Sequence, residues 1–491
     1  VCVLYKIYNP GNQAKLAITP VVNFRDFHTM TTNWNFNLKQ NIKGQKVKIE
    51  INDKSETPIY MCISEGNYIE HYNDVFRNMY YIEEEKRGFF PEENLSVPGS
   101  FEVEIPQKSD KEISFVCSLE ENIDEINVKK VINKEIIRIN ELMYDSELIE
   151  EKQDIEKLSK EELKQREILR DFIIATDNFV VYRPSFGLHT IIAGYPWFLD
   201  WGRDSLISYE GLLLATKRYK MAKEVLLTSI RDIKFGLVPN GYSGYDNRPL
   251  YNSSDSSLLL FEAVYKYIKY TGDYKFIEKN IYEKLVLVVN NYCKGIDLDD
   301  NNIFLDKDGL LSAGTENTQN TWMDAKYGNH CFTPRNGKTV ELNSLWYNAL
   351  KILEELSNKF GKRKEAKEYA KKAEQCQKAF TESFYNKKKK CLYDVLGDTK
   401  VRPNQLFATS LSHPILELNS KIAKEMLETV TKKLLNKYGL KTLAKGEKGY
   451  VDVYEGDGFR RDSSYHQGIT WPWLLGLYYD TLKNMIKAEK D

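Results

Sequence analysis

Three short stretches, far apart in the 491-residue chain, hold five of its seven tryptophans. These stretches are residues 195–208, 321–338 and 454–473, and in each the tryptophans stand among acidic, amide and glycine residues. Indole rings pack on the C–H faces of a pyranose, while carboxylates and amides bind its hydroxyls. Cleavage of a glycosidic bond also needs two carboxylates on opposite sides of that bond. The stretches therefore predict a carbohydrate site, and the leading hypothesis is a glycoside hydrolase.

The first stretch contains Trp197, Trp201, Arg203 and Asp204. A guanidinium beside a carboxylate can bind two neighbouring sugar hydroxyls, since one group donates hydrogen bonds and the other accepts them. The indole rings would lie against the face of the sugar. The alternative is structural: an ion pair between Arg203 and Asp204 that caps a helix beginning near Ser205, with both tryptophans in the core.

The second stretch places Asp324 two residues after Trp322. A carboxylic acid that protonates a leaving sugar oxygen near neutral pH needs a raised pKa, and an aromatic neighbour raises it by desolvation. We predict Asp324 as the catalytic acid, against the alternative of a loop aspartate that accepts backbone N–H groups. Trp322, Lys326 and Arg335 are predicted substrate ligands. Arg335 could instead pair with Glu341 at the start of the next helix.

The third stretch contains the acidic residues Glu455, Asp457 and Asp462. One of them would be the base that activates water on the far face of the sugar. We predict Glu455, because aspartates beside glycines commonly form turns and Asp462 can pair with a neighbouring arginine. Asp457 and Asp462 stay open as alternatives. Three further residues are predicted substrate ligands, of which the first could equally be structural: His466, Gln467 and Trp471.

Composition argues against several other functions. Lysine plus arginine number 70 and aspartate plus glutamate 71, so a nucleic-acid partner is not expected. The seven cysteines are widely spaced, which favours a reducing, cytoplasmic compartment and predicts no metal site. No apolar run approaches the ~18 residues of a membrane span, so no membrane partner is expected. Because the chain opens on Val1 in a strand-like pattern, we expect that its first strands are missing.

The periodicity of the apolar residues changes along the chain. Residues 1–122 alternate between apolar and polar types and predict a β-rich N-terminal domain. Residues 123–178 predict charged linker helices, with Ser159 and Glu162 in capping-box spacing. Helical patterns then continue through residues 179–491 and predict the catalytic domain.

The helices of this last region come in pairs that are separated by long loops. They are predicted at residues 205–217, 219–235, 254–271, 274–293, 341–360, 363–385, 403–412, 419–437 and 466–487. No consensus recurs at a fixed period, which argues against a solenoid. The loops are long and rich in glycine, asparagine and aspartate, as functional loops often are. The predicted fold class is mainly α: an (α/α)6 barrel preceded by a partial antiparallel β domain.

Longer strings carry a family resemblance. They include TIIAGYPWFLDWGRDSLIS, DGLLSAGTENTQNTWMDAK, TPRNGKTVELNSLWYNAL, RPNQLFA and RDSSYHQGITWPWLLG. In these strings the chain resembles the glucosidase domain of glycogen debranching enzymes, the amylo-α-1,6-glucosidase type. The resemblance implies an (α/α)6 barrel that hydrolyses, with inversion and without a cofactor, the single α-1,6-linked glucose left at a trimmed glycogen branch point.

The resemblance also implies roles for individual residues. The family's catalytic acid falls on Asp324, and Arg203 with Asp204 is similar to the glucose-binding pair of glucoamylases. Eukaryotic debranching enzymes carry a glutamate where this chain has Thr470. Glucoamylases place their basic glutamate upstream, at about the distance that separates Glu455 from the threonine-tryptophan pair. The second pattern supports Glu455 as the base.

Two other functions stay open at this point. Another barrel enzyme acting on α-glucosides, such as a glucoamylase, a trehalase-like enzyme or an inverting phosphorylase, would need similar parts. A non-catalytic glycan-binding protein would need the aromatic and hydroxyl-binding residues without paired carboxylates.

Overall fold

The chain divides into two compact units, Val1–Tyr144 and Asp145–Asp491. The three-part division predicted from the sequence stays a prediction. Among the predicted site residues, Trp197 lies outside the part of the chain that the structure describes. The structure is a computed structural model that describes residues 1–26, 29–32, 37–51, 57–149, 158–194, 198–244 and 246–490.

The first unit contains two antiparallel sheets. Its strands are β1 (Cys2–Asn9), β2 (Ala14–Ile18), β3 (Leu38–Lys43), β4 (Lys46–Ile51), β5 (Ile59–Ile63), β6 (Asn67–Tyr80), β7 (Glu92–Ile105) and β8 (Ser109–Ser118), with a short helix α1 (Ile82–Lys86) before β7. One sheet has the order β1-β8-β5-β4-β3 and the other β2-β7-β6. Alternate residues of β4, such as Val47 and Ile49, are buried in one apolar cluster with Phe101 of β7. The predicted antiparallel β structure is confirmed here.

Two charged helices follow, α2 (Val128–Ser146) and α3 (Lys160–Asp177). Helix α3 begins with the predicted capping box. The hydroxyl of Ser159 accepts the backbone N–H of Glu162 at 3.3 Å, and the Glu162 carboxylate accepts the backbone N–H of Ser159 at 2.8 Å. Two backbone donors that have no partner within the helix are satisfied in this way.

After α3, the second unit continues with a series of helices. They are α4 (Gly202–Tyr209), continued by a π-helical turn (Glu210–Leu214), α5 (Tyr219–Arg231), α6 (Ser256–Thr271), α7 (Tyr274–Asn280), α8 (Tyr282–Lys294), α9 (Val340–Lys359), α10 (Arg363–Ser383), α11 (Phe407–Ser410), α12 (Lys421–Lys433), α13 (Gly458–Tyr465) and α14 (Leu474–Ala488).

Small antiparallel sheets lie in the connections of this unit. Their strands are β9 (Val180–Arg183), β10 (Leu188–Ile191), β11 (Gly241–Tyr242), β12 (Pro249–Leu250), β13 (Phe304–Leu305), β14 (Leu311–Ser312), β15 (Lys326–Tyr327), β16 (His330–Cys331), β17 (Tyr385–Asn386), β18 (Cys391–Leu392), β19 (Leu435–Asn436), β20 (Gly439–Lys441) and β21 (Thr470–Trp471). The unit is therefore mainly helical, with short hairpins in its loops.

Helix α9 forms the centre of the main core. Its apolar stripe is buried, with Leu342, Trp346 and Leu350 fully enclosed. Asn343 and Ser344, on other sides of the helix, are buried as well. Residues 340–350 are buried on every side, so this part of the helix lies inside its domain. Residues of α4 to α12 and of α14 join the same apolar cluster.

Two helix predictions near the end of the chain were wrong. The last helix begins at Leu474 instead of residue 466, because Gly468 takes a φ of 148° and Thr470–Trp471 form strand β21. The preceding residues, predicted as a loop, form helix α13. Asp457 caps that helix, since its carboxylate accepts the N–H of Arg460 at 3.0 Å.

None of the described helices is long and apolar enough to cross a membrane. The seven cysteines are free thiols. The cytoplasmic location predicted from their spacing stays a prediction.

Candidate active site

The structure brings the three predicted stretches together. Arg203, in the first turn of α4, donates from Nη1 to Oδ2 of Asp324 at 3.0 Å, across 121 positions of the sequence. The backbone N–H of Ala325 donates to Nδ1 of His466 at 3.4 Å, across 141 positions. Segments from three parts of the chain therefore meet around Asp324.

Trp322 is buried next to Asp324 and packs against residues of the third stretch. Its buried ring lies edge-on to His466, Trp471 and Trp473, with centroids 5.3, 5.8 and 5.0 Å away. Its Nε1 donates to Oδ1 of Asn404 at 2.6 Å. Trp471 is only half-buried and lies stacked on His466. Trp471 thus offers more free ring surface to a ligand than Trp322 does.

Asp324 combines an open face with desolvated surroundings. Its side chain is 38 % exposed, which leaves room for contact with a ligand. Desolvation raises the pKa of Asp324 to about 6; the positive charge of Arg203 opposes this rise, and the negative charges of Asp204 and Asp255 add to it. A carboxyl group with this pKa is partly protonated near neutral pH, as a general acid requires.

Arg203 is held by a residue that the sequence analysis missed. Its Nε donates to both carboxylate oxygens of Asp255 at 2.9 and 3.0 Å, and its Nη2 donates to Oγ of Ser253 at 3.3 Å. Arg203 therefore joins Asp255 to Asp324, and it does not form the predicted alternative ion pair with Asp204. An acid flanked by serines before a helical pattern was the only sequence signal for Asp255.

Asp204 and Tyr465 lie close enough to Asp324 to act on it electrostatically. Asp204 is exposed, and yet desolvation by the surrounding protein raises its pKa. Exposure together with a raised pKa is expected of a carboxylate on the wall of a cleft. Desolvation, followed by the charges of Tyr454, Asp324, Asp204 and Asp462, raises the pKa of Tyr465 to about 12. The phenol of Tyr465 is therefore a neutral donor near three carboxylates, a role that the sequence did not reveal.

His466 and Gln467 both form hydrogen bonds within the protein. Burial holds the pKa of His466 well below its ordinary value, so its ring is neutral. Since Nδ1 accepts the N–H of Ala325, the proton lies on Nε2, which has no hydrogen-bond partner among the residues described. The Oε1 of Gln467 accepts from Nη2 of Arg402 at 2.6 Å, and its Nε2 donates to the carbonyl of Phe332 at 3.3 Å.

The structure places Arg335, a predicted substrate ligand, in buried ion pairs. Its Nη2 donates to Oε2 of Glu341 at 2.7 Å and to Oδ1 of Asp394 at 3.0 Å, and its Nε donates to Oδ2 of Asp394 at 2.6 Å. The side chain of Arg335 is 4 % exposed, and those of Glu341 and Asp394 are each 1 % exposed. The structural alternative, pairing with Glu341, is the arrangement that the structure shows.

This buried ion-pair network anchors the segments that carry the site. Asn404 donates from Nδ2 to Oδ1 of Asp394 at 2.8 Å and accepts the indole N–H of Trp322. Arg402 donates from Nη1 to the carbonyl of His466 at 2.6 Å. Residues 402–408 form one of the strings that carry the family resemblance, and two of them hold the second and third stretches in place.

Glu455 lies in an exposed loop that adjoins the site. The ring of the preceding residue, Tyr454, is 5.5 Å from the ring of Tyr465. The carbonyl of the following residue, Gly456, accepts from Nη1 of Arg461 at 2.7 Å. Both neighbours of Glu455 are thus held against α13.

Trp201 and Lys326 each contact a neighbouring segment of the chain. The half-buried Trp201 pairs with Gly241, where a Cβ atom would lie 3.1 Å from the indole ring. Glycine at this position allows the close approach. Lys326 donates from Nζ to the carbonyl of Asn317 at 3.3 Å.

Comparison with known proteins gives matches to two family models and to curated relatives. A model described as amylo-alpha-1,6-glucosidase matches residues 174–491. A model described as glycogen debranching enzyme N terminal matches residues 1–111. A glycogen debranching enzyme of Saccharomyces cerevisiae is 24 % identical over 395 residues, covering 60 % of this chain and 25 % of the yeast protein. The chain thus spans about a quarter of the length of this curated relative.

Proposed function

Because the chain belongs to the amylo-alpha-1,6-glucosidase family, we propose that it hydrolyses the single α-1,6-linked glucose left at a trimmed branch point of glycogen or another branched α-glucan. The observation that carries this proposal is the state of Asp324. Its pKa is about 6, its side chain is 38 % exposed, and Arg203 binds one of its oxygens. These properties suit a residue that protonates a glycosidic oxygen and is then left ionised.

In the proposed reaction, Asp324 donates its proton to the glycosidic oxygen while the bond from that oxygen to the anomeric carbon breaks. Glu455 takes a proton from water, and the water oxygen attacks the anomeric carbon from the opposite face. The released glucose has the inverted configuration. Inversion in a single displacement needs about 6.5 to 9.5 Å between the two carboxyl groups, so that the water fits.

The base is proposed to be Glu455. It is exposed and has no hydrogen-bond partner among the described residues, so its carboxylate is free to bind water. Asp457 is less suitable, because its carboxylate already accepts the N–H of Arg460. Asp462 remains the alternative, since desolvation raises its pKa and its charge acts on Tyr465.

Three groups are proposed as the main contacts of the bound glucose. Arg203 keeps one N–H on each terminal nitrogen without a partner in the described structure. Asp204 presents an exposed carboxylate, and Trp471 presents a half-buried ring. The remaining predicted ligands, whose sugar contacts stay predictions, are Trp197, Trp201, Trp322, Lys326, His466 and Gln467.

We also propose that the helices of the second unit close into an (α/α)6 barrel, with residues 123–178 as a linker to the β-rich domain. Two features support the barrel. The first part of helix α9, residues 340–350, is buried on every side, as an inner helix would be. The segments that carry Arg203, Asp324 and His466 lie far apart in the sequence and meet at one site, as segments at one end of a barrel do.

The test is incubation with a phosphorylase limit dextrin while NMR follows free glucose and its first anomer. β-Glucose as the first product is expected. α-Glucose would contradict inversion, and glucan binding without release of glucose would indicate a non-catalytic protein. Two further outcomes would indicate other enzymes: phosphate-dependent formation of a sugar phosphate points to a phosphorylase, and equally fast cleavage of linear maltooligosaccharides points to a glucoamylase.

A further inference from the structure

An exposed aromatic cluster adjoins Asp324 and has no part in the mechanism above. It consists of Tyr327, His330, Phe332 and Phe459, and we call it the aromatic platform. Tyr327 and Phe459 are 51 % and 48 % exposed. His330 is exposed as well. Phe332 is half-buried and contacts the rings of His330 and Phe459. Clusters of exposed aromatic rings often mark binding surfaces.

The rings of the platform are packed against one another. The centroid of Phe459 is 5.6 Å from that of Tyr327, 5.2 Å from that of Phe332 and 6.2 Å from that of His330. Tyr327 and Phe459 come from different elements, the hairpin β15–β16 and helix α13. A Cβ atom on Gly458 would lie 3.0 Å from the Tyr327 ring, so glycine allows the helix to approach. Such mutual packing fixes the positions of the rings before a ligand arrives.

The platform is attached directly to the segment that carries the catalytic acid. Strand β15 begins two residues after Asp324. The N–H of Phe332 donates to the carbonyl of Ala325 at 3.2 Å, and the N–H of Ala325 binds His466. A ligand on the platform would therefore lie next to the group that protonates the leaving oxygen.

We propose that the aromatic platform binds the α-1,4-linked glucan chain that carries the branch, which is the leaving group of the reaction. This inference rests on the proposed function. The departing chain must pass beside Asp324, because Asp324 protonates the oxygen that stays with that chain. Exposed aromatic rings then offer faces for the C–H surfaces of its glucose units. This continuity with the acid favours a glucan over a protein as the occupant.

The test compares two substrates in the variant Phe459→Ala. A branched limit dextrin has a long leaving chain, whereas α-glucosyl fluoride has none. The KM for limit dextrin is expected to rise about tenfold, while kcat/KM for α-glucosyl fluoride changes less than about twofold. Phe172→Ala is the matched control, because Phe172 is 67 % exposed on helix α3; it is expected to leave both substrates unaffected.

Two results would overturn the inference: an equal loss on both substrates, which indicates a structural role, or no change on either. If Phe459→Ala does not fold, Tyr327→Ala replaces it with the same expected result. If the unmodified protein releases glucose from neither substrate, the proposed function has failed, and the platform is judged by calorimetric binding of maltoheptaose. Weaker binding in Phe459→Ala supports the platform, and unchanged binding overturns it.

Discussion

Two arginines of this protein each lie between two carboxylates, and the two clusters differ in their access to solvent. Arg203 joins Asp324 to a buried aspartate, and Arg335 joins Glu341 to Asp394. The arginine side chains are equally buried, at 5 % and 4 % exposed. The carboxylate of Asp324, however, is 38 % exposed, whereas those of Glu341 and Asp394 are each 1 % exposed.

The difference shows which ion pair can exchange a proton with a ligand. In the Arg335 cluster, protein donors surround the carboxylates on every side, so their charges serve only to hold segments together. In the Arg203 cluster, one face of Asp324 is open to a ligand while desolvation raises its pKa. An enclosed charge cluster holds distant segments together through its hydrogen bonds, whereas a cluster with one open face can also exchange a proton with a ligand.

The comparison would break if replacing the carboxyl group of Asp324 left the proposed release of glucose unchanged. Asp324→Asn is expected to lower kcat for release of glucose from limit dextrin by about 10²- to 10⁴-fold, because the general acid is lost. Glucan binding, measured by calorimetry, should remain. Unchanged turnover would remove Asp324 from the mechanism.

Asp324→Asn also has a predicted effect on stability, whose direction follows from the difference between the folded and unfolded pKa of Asp324. A carboxyl whose folded pKa is raised to about 6 stabilises the fold when protonated, and this stability is lost as the pH rises from about 4 through 6. Asp324→Asn should therefore be at least as stable as the unmodified protein at pH 7. Thermal unfolding measures this, and a clearly lower Tm would indicate that Asp324 is structural.

The Arg335 cluster should respond in the opposite way. Arg335→Met leaves Glu341 and Asp394 buried without their partner, so the free energy of unfolding is expected to fall by about 3–5 kcal/mol. Denaturant unfolding measures this change. Arg460→Met, at an exposed position, is the control and should have little effect. A normal unfolding curve with a raised KM would restore Arg335 as a substrate ligand.

Variants of the three acidic residues in the third stretch sharpen the assignment of the base. Glu455→Gln is expected to lower kcat at least about 10²-fold, since water would lose its proton acceptor. Asp457→Asn should keep activity within about twofold, because asparagine caps a helix as well as aspartate does. If Asp462→Asn shows the large loss instead, the base is Asp462.

The smallest expected effect is a shift in pH dependence. Since Asp324 must be protonated, kcat/KM should fall about tenfold per pH unit above about pH 6. Asp204→Asn removes a negative charge that raises the pKa of Asp324, so this limb should move to lower pH whatever the absolute rate. Asp110→Asn, an exposed position of the first unit, should not move it. A shift to higher pH would contradict the electrostatic picture.

Much of the architecture and part of the site could be predicted from the sequence. The apolar stripe of α9, the capping box of α3 and the alternation in β4 are local patterns, and each element formed as they indicate. Helix α13 was missed because its segment is short and polar, and its start depends on the cap that Asp457 provides. Asp255 and Tyr465 were missed because their roles depend on partners that are distant in the sequence.

The sequence by itself determined the residue types of the site, the three stretches that carry them and the family to which they belong. Only the tertiary structure decided which arginine serves an open carboxylate, because Arg203 and Arg335 both stand in the predicted site stretches and both were predicted to bind substrate. Three of their four carboxylate partners lie 52, 121 and 59 positions away. Burial and the occupancy of hydrogen-bond donors depend on which distant segments pack together, and a local pattern of residues does not contain that information.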